Sequence, residues 1–370
     1  MDLTPRNQEQ PSPALTGEPA APAAGRWARL TALLPGLGLA VAVAVVATVV
    51  GRRFPLVGGP VTGIVLGVVL AATIRPGARL RPGITFSSKA VLQTSVVVLG
   101  SQLSLMQIVR VGVGSLPVML GTLVVALGAA YLLGRWLGVV GNLRTLIGVG
   151  TGICGASAIA AVTPVIGAVG AEVTYAVSTI FLFNVAAVLA FPVVGHLLGM
   201  SQHAFGLFAG TAVNDMSSVV ATATTYGPEA ANFAVVVKLT RTLLIIPIVL
   251  ALAAMTARRD RRAAADVLVP ADVAAIRPPR VDVWRLVPTF LIGFLLVAAA
   301  NTAGLIPAAV HPALSQVSVF LITVALSAIG LSTDLAGLRR AGHRPLLLGA
   351  LLWVVVSLAS LGLQRVTGTW

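Results

Sequence analysis

Residues Gly148 to Pro164 read GVGTGICGASAIAAVTP. The stretch is apolar enough to sit in a membrane, yet Gly148, Gly150, Gly152 and Gly155 fall within eight residues. A glycine costs about 1 kcal/mol against alanine inside a helix. An apolar segment that accepts several such costs is not a plain helix. In lipid, irregular backbone survives only where protein buries it or where it lines a wet cavity. The stretch therefore predicts a helix broken near the bilayer midplane, with free N–H groups aimed at a ligand.

The composition gives this stretch its setting. Of the 370 residues, 57% are hydrophobic and 10% charged, and mean hydropathy is +0.97. Soluble domains carry about 25% charged residues. The chain reads as an all-α, multi-pass membrane protein. A formal net charge of +14 would suggest nucleic acid in a soluble protein. Here the basic residues gather in short loops, where they set orientation and meet lipid headgroups. Membrane lipid is an expected partner and nucleic acid is not. Cys154 is the single cysteine, so no internal disulfide forms.

A spanning helix needs about 20 mostly apolar residues. Eleven candidates fit, beginning near Leu30, Pro60, Ala90, Ser115, Thr145, Glu172, Ala204, Ala230, Trp284, Leu314 and Pro345. Residues 1–28 read as a disordered cytoplasmic tail and 29–255 as spans one to eight. Residues 256–283 read as a basic cytoplasmic linker and 284–370 as spans nine to eleven. With that count, Arg26, Arg29, Arg75, Arg79, Arg81, Lys89, Arg135, Arg144, the arginines of 258–285 and Arg339 to Arg344 share one side. The rule that cytoplasmic loops are basic then puts the N-terminus inside. Gly100, Arg110 and Gly112 recur in spacing at Gly330, Arg340 and Gly342, a hint of the inverted repeats that transporters carry.

Intramembrane ionisable residues are expensive and usually functional. Asp215 is the acidic residue placed deep in a span, within GTAVNDMSSVVATATT (Gly210 to Thr225). Lys238 and Arg241 are the cations placed well inside, at i and i+3 on one helix face. Asp215 would pair with one of them and orient helices, or the two cations would outweigh it and hold an anion. On the second reading the backbone of Gly152, Cys154, Gly155, Ala156 and Ser157, with Lys238 and Arg241, binds a small anion. Asn214, Ser217 and Ser218 add neutral hydrogen bonds, and Asp215 couples a proton or keeps the empty site neutral. The two half-sites would rock against each other. The alternative is a cation/proton antiporter that binds its ion at Asn214-Asp215. A third reading, an intramembrane enzyme using Cys154 or Ser157, lacks a base, since His196, His203, His311 and His343 fall at helix ends or in loops. The chain is read as a non-enzyme with no catalytic residues. No cofactor is expected, and no His/Cys/acid cluster has metal-ligand spacing.

Three segments carry a family resemblance: ICGASAIAA (Ile153 to Ala161), VVVKLTRTLLIIPIVL (Val235 to Leu250) and GLSTDLAGLRRAGHRPLLLGALLW (Gly330 to Trp353). With the polar run after Gly210-Thr211, they resemble the YeiH family of bacterial inner-membrane proteins, described as sulfate exporters. That family is grouped with the cation/proton antiporters and bile-acid transporters. The resemblance implies inverted repeats, crossing broken helices, sulfate or a sulfonate as substrate, and a multi-pass place in the bacterial inner membrane. A homo-oligomer is compatible with it.

Overall fold

The computed structural model describes residues 26–53, 58–74, 76–139, 141–266, 288–332 and 343–370, and all of its regular structure is helical. The helices are α1 (Arg26–Arg53), α2 (Gly58–Ile74), α3 (Arg81–Phe86), α4 (Leu92–Leu99), α5 (Leu105–Trp136), α6 (Gly141–Gly152), α7 (Ala156–Ile166), α8 (Gly170–Leu197), α9 (Gln202–Ala212), α10 (Met216–Tyr226), α11 (Pro228–Leu243), α12 (Ile245–Asp266), α13 (Thr289–Thr302), α14 (His311–Leu331) and α15 (His343–Thr367). A π-helical turn, Ser87–Val91, joins α3 to α4, and a 3-10 turn, Gly100–Gln102, follows α4. Six segments are long and apolar enough to cross a membrane: Thr31–Arg53, Leu105–Trp136, Gly170–Leu197, Pro228–Arg258, Ala308–Leu331 and His343–Thr367. The protein is an all-α membrane protein.

Some boundaries differ from the sequence expectation, for readable reasons. The third segment starts at Arg81 and ends at Gln102, and α5 takes Arg110 into its own first turns. Ser104 sets that break with a capping box: its hydroxyl accepts from Gln107 N–H (3.2 Å), and Gln107 Oε1 accepts from Ser104 N–H (2.9 Å). The expected linker at 256–283 begins as helix, because α12 runs to Asp266 through Ala- and Arg-rich sequence that favours helix. Its remainder lies outside the described residues. So do Arg340 and Gly342, and the expected tail apart from 26–28, which open α1.

Two groups of helices form. The first, a frame, comprises α1, α2, the α3–α4 segment, α13 and α14. Its backbones meet at glycines. A Cβ on Gly67 would lie 2.5 Å from Ser327 O, and one on Gly36 would lie 2.1 Å from Leu80 O. Small residues allow such approach where lipid supplies no hydrophobic drive. The second group comprises α5 to α12 with α15.

The break in the Gly148 stretch is present, but the halves do not continue across the membrane. Helices of 12 and 11 residues laid end to end would separate their outer ends by about 35 Å. Instead Asn142 Nδ2 donates to Gly167 O, so α7 returns to where α6 began. The pair α9–α10 does the same. Tyr226 Oη donates to Met200 O, and the Tyr226 ring stacks on Phe205 with centroids 3.8 Å apart. Gln202 Oε1 then accepts from Glu229 N–H at 3.0 Å. Both units are re-entrant hairpins, which corrects the expectation of broken helices that cross.

α8 lies between the hairpins. Its 28 residues rise about 42 Å, from the face where the first hairpin opens to the face where the second opens. The hairpins thus enter from opposite faces, and their tips meet beside the middle of α8. A Cβ on Gly155 would lie 3.2 Å from Asp215 Cβ and 3.6 Å from Asn214 O.

Candidate functional site

The tips repeat one another. Thr151 and Thr211, Ile153 and Val213, and Ser157 and Ser217 are each sixty residues apart. α6 and α9 end here, and each leaves carbonyls without helical partners. Lys238 and Arg241 take them. Lys238 Nζ donates to Ile153 O and Val213 O, 2.9 Å each. Arg241 Nε donates to Gly152 O (2.8 Å), and its two terminal nitrogens donate to Thr151 O and Thr211 O. Both side chains are fully buried. Each cation therefore bridges both hairpins, at the negative ends of two helix dipoles.

The starts of α7 and α10 face the other way, into a cavity of about 530 Å³. Here the repeat breaks. α10 is capped by Asp215, whose carboxylate accepts from Ser218 N–H (2.9 Å), Ser218 Oγ (2.8 Å), Ser217 Oγ and Asn184 Nδ2. Those four donors use the acceptor sites of the two oxygens. α7 begins at Gly155, which offers no side chain to cap it. Its backbone, φ 68° and ψ −131°, is one that side-chain-bearing residues rarely adopt. Ala156 and Ser157, the first residues of α7, are exposed on the cavity wall.

Of the residues expected at the site, Cys154, Ala156, Ser157, Asp215 and Ser217 line this cavity. Ser218 is buried behind Asp215. Asn214 is buried too. Its N–H donates to Asn184 Oδ1 at 3.0 Å, and its own Oδ1 has no partner among the described residues. Gly152 is buried and gives its carbonyl to Arg241. Lys238 and Arg241 are not among the residues lining the cavity; two bonds from the first and three from the second go to the tip carbonyls. In this geometry the charged ends that were expected to hold the ligand instead meet the carbonyls of both tips. Neither is a hydrogen-bond partner of Asp215.

Sequence reasoning missed Asn184 and Lys89. Asn184 sits halfway along α8 and bonds both Asp215 and Asn214. Its signal was available: an amide alone in a long apolar helix. Lys89 stands on the π-helical turn, exposed, and lines the cavity from the frame beside Ser88 and Gln93. Such turns recur at functional sites.

A family described as "Conserved hypothetical protein 698" has a sequence model that matches residues 35–349. A UPF0324 membrane protein of Streptococcus pyogenes serotype M18 is 43% identical over 341 residues, covering 91% of this chain and 98% of the relative. The chain belongs to the UPF0324 family of membrane proteins. Other UPF0324 members are similar: one from Streptococcus mutans is 42% identical, and one from Fusobacterium nucleatum 40%, each covering 98% of the relative. The YeiH-type resemblance of the three quoted segments is thereby shown. No solved structure matches this UPF0324 chain.

Proposed function

We propose that the protein is a secondary transporter for a small anion, with sulfate or a sulfonate as the leading candidate. The observation that carries the reading is the start of α7, where the N-cap residue Gly155 brings no side chain and Ala156 and Ser157 open to the cavity, at the place where α10 carries the Asp215 carboxylate. A helix start offers N–H donors and a positive dipole end to an anion. An anion at Ala156 and Ser157 would do for α7 what Asp215 does for α10. Lys89, on the facing wall, adds a full positive charge.

The cation/proton antiporter reading draws on the same Asp215. Against it stands the saturation of that carboxylate by four donors, which leaves a cation no free lone pair unless Ser217 or Asn184 turns away. An enzymatic role for Cys154 or Ser157 has no support from the cavity, since no histidine is among its lining residues. The basic ends of α3, α5 and α6 favour a cytoplasmic position for the face with Arg81, Arg135 and Arg144. The N-terminus is then inside. The cavity, lined also by Lys89, Pro288 and Ser332 near the frame's ends on that face, opens inward and is ready to load an exported anion.

Flux of sulfate and of sulfonates into proteoliposomes, read beside a pH-gradient dye with sodium added, tests both readings. Anion flux abolished by Lys89→Glu supports the first. A dye response to sodium but not to any anion would sink it.

A further inference from the structure

A second cavity, about 680 Å³, lies on the opposite face. Gln102 and Leu103 of the frame line it on one side, and Arg110, Asn232 and Val236 of the hairpin group on the other. The first cavity lies between the two groups, with Ser88, Lys89 and Ile329 on the frame side and Asp215 and Ser217 on the other, whereas the second is walled mostly by the hairpin group and meets the frame at Gln102 and Leu103. An apolar seam separates them. The frame gives it Val96, Leu99 and Leu326, and the hairpin group gives it Val220, Val236 and Leu239. Val96 also lines the first cavity, and Leu103 and Val236 line the second, so the seam is bounded by both.

We propose that the second cavity is the other mouth of one permeation path, taking the same anions beside Arg110, and that the two hairpins cross the seam as a single body. The proposal rests on the transporter reading above, but not on the sign of the substrate. Three features carry it. Lys238 and Arg241 each donate to both tips, so moving one hairpin against the other would break buried bonds to charged donors. Asn184 ties the second tip to α8 in addition. Across the seam the contact is between apolar side chains, and a polar bond that joins the two groups, Leu105 N–H to Thr302 Oγ1 (2.8 Å), lies at the Arg110 end of the seam. Motion therefore separates the groups along the seam and leaves the tips together. Rocking of the two half-sites against each other is the motion the bracing opposes.

The test uses one reporter on each hairpin. In a Cys154→Ala background, Ala161→Cys and Met216→Cys are placed in α7 and α10, both on the wall of the first cavity. A membrane-impermeant maleimide is applied to proteoliposomes from one face at a time, with and without sulfate. The expected result is labelling from the Lys89 face, together with labelling of both reporters from the Arg110 face to the same extent. Labelling from one face only, or transfer of one reporter without the other, overturns the proposal. Two-face labelling that ignores sulfate upholds it while removing sulfate as the substrate. Protection by sulfate with labelling from one face overturns it and leaves the anion reading standing.

Discussion

Ile153 and Val213, sixty residues apart, present their carbonyl oxygens to one ammonium group, each 2.9 Å from Lys238 Nζ. The two tips of the molecule are joined through a side chain that belongs to neither. A buried cation in a membrane helix invites a ligand-binding role. This one is engaged by the ends of two helices.

Lys238→Met should therefore behave first as a stability variant. Each hydrogen bond from a charged donor is worth roughly 1.5–3 kcal/mol. Two are lost, and two carbonyls stay buried, so a loss of about 3 kcal/mol or more is expected. Thermal unfolding in detergent measures it. An unchanged Tm would show that the tips hold together without the brace.

Gly155→Ala forces a side chain into a left-handed backbone 3.2 Å from Asp215 Cβ, with strain of about 1–3 kcal/mol. Gly155→Asp goes further. It gives α7 the cap that α10 already has and sets a second carboxylate against the first. Anion flux should vanish in the aspartate variant while the alanine variant, if folded, keeps a part of it. Equal flux in the two would remove α7 from the site.

Asp215→Ala removes the cap of α10 and leaves Asn184 and Ser218 without their shared acceptor. A lost N-cap costs about 0.5–2 kcal/mol, and the stranded amide adds to that. Asp215→Asn keeps an oxygen for Ser218 N–H and should lose less stability. Under the anion reading it retains binding of sulfate, measured by isothermal calorimetry in detergent. Under the cation reading it abolishes a sodium response.

The hairpins make a topological prediction. Val169→Cys should label from the same face as Arg144, and Ser201→Cys from the opposite one. Broken helices that run straight through would exchange these results. Both positions are exposed, so accessibility labelling in intact and inverted vesicles decides it.

The glycines of 148–155 announced the interruption, and the polar run at 214–218 announced its partner. Neither announced a turn back, because a break and a reversal leave the same local signature. What distinguishes them is distant in sequence: Tyr226 against Met200, Asn142 against Gly167. The loop charges were blind to the difference as well. Residues 167–169 and 198–201 change faces when hairpins replace spans, and neither carries Arg or Lys. The two reversals cancel, so every basic loop keeps its side. Lys238 and Arg241 were found by their charge, but their carbonyl partners were not, since a backbone carbonyl leaves no trace in a sequence. The capping box at Ser104 and Gln107, which marks where α5 begins, went unread, and the fourth span was set at Ser115 instead.

The spacing of the brace also constrains synthesis. The first hairpin's last carbonyls precede their donors by 85 to 90 residues. Until α11 is made, those carbonyls have no partner from this part of the chain, and in hydrocarbon each such group costs several kcal/mol. The nascent α6–α7 unit is thus unfit to rest in lipid alone. It must wait in a wetter place, or beside helper protein, for a segment not yet translated. Insertion of this membrane protein cannot proceed strictly helix by helix; the centre closes late, when Lys238 and Arg241 arrive.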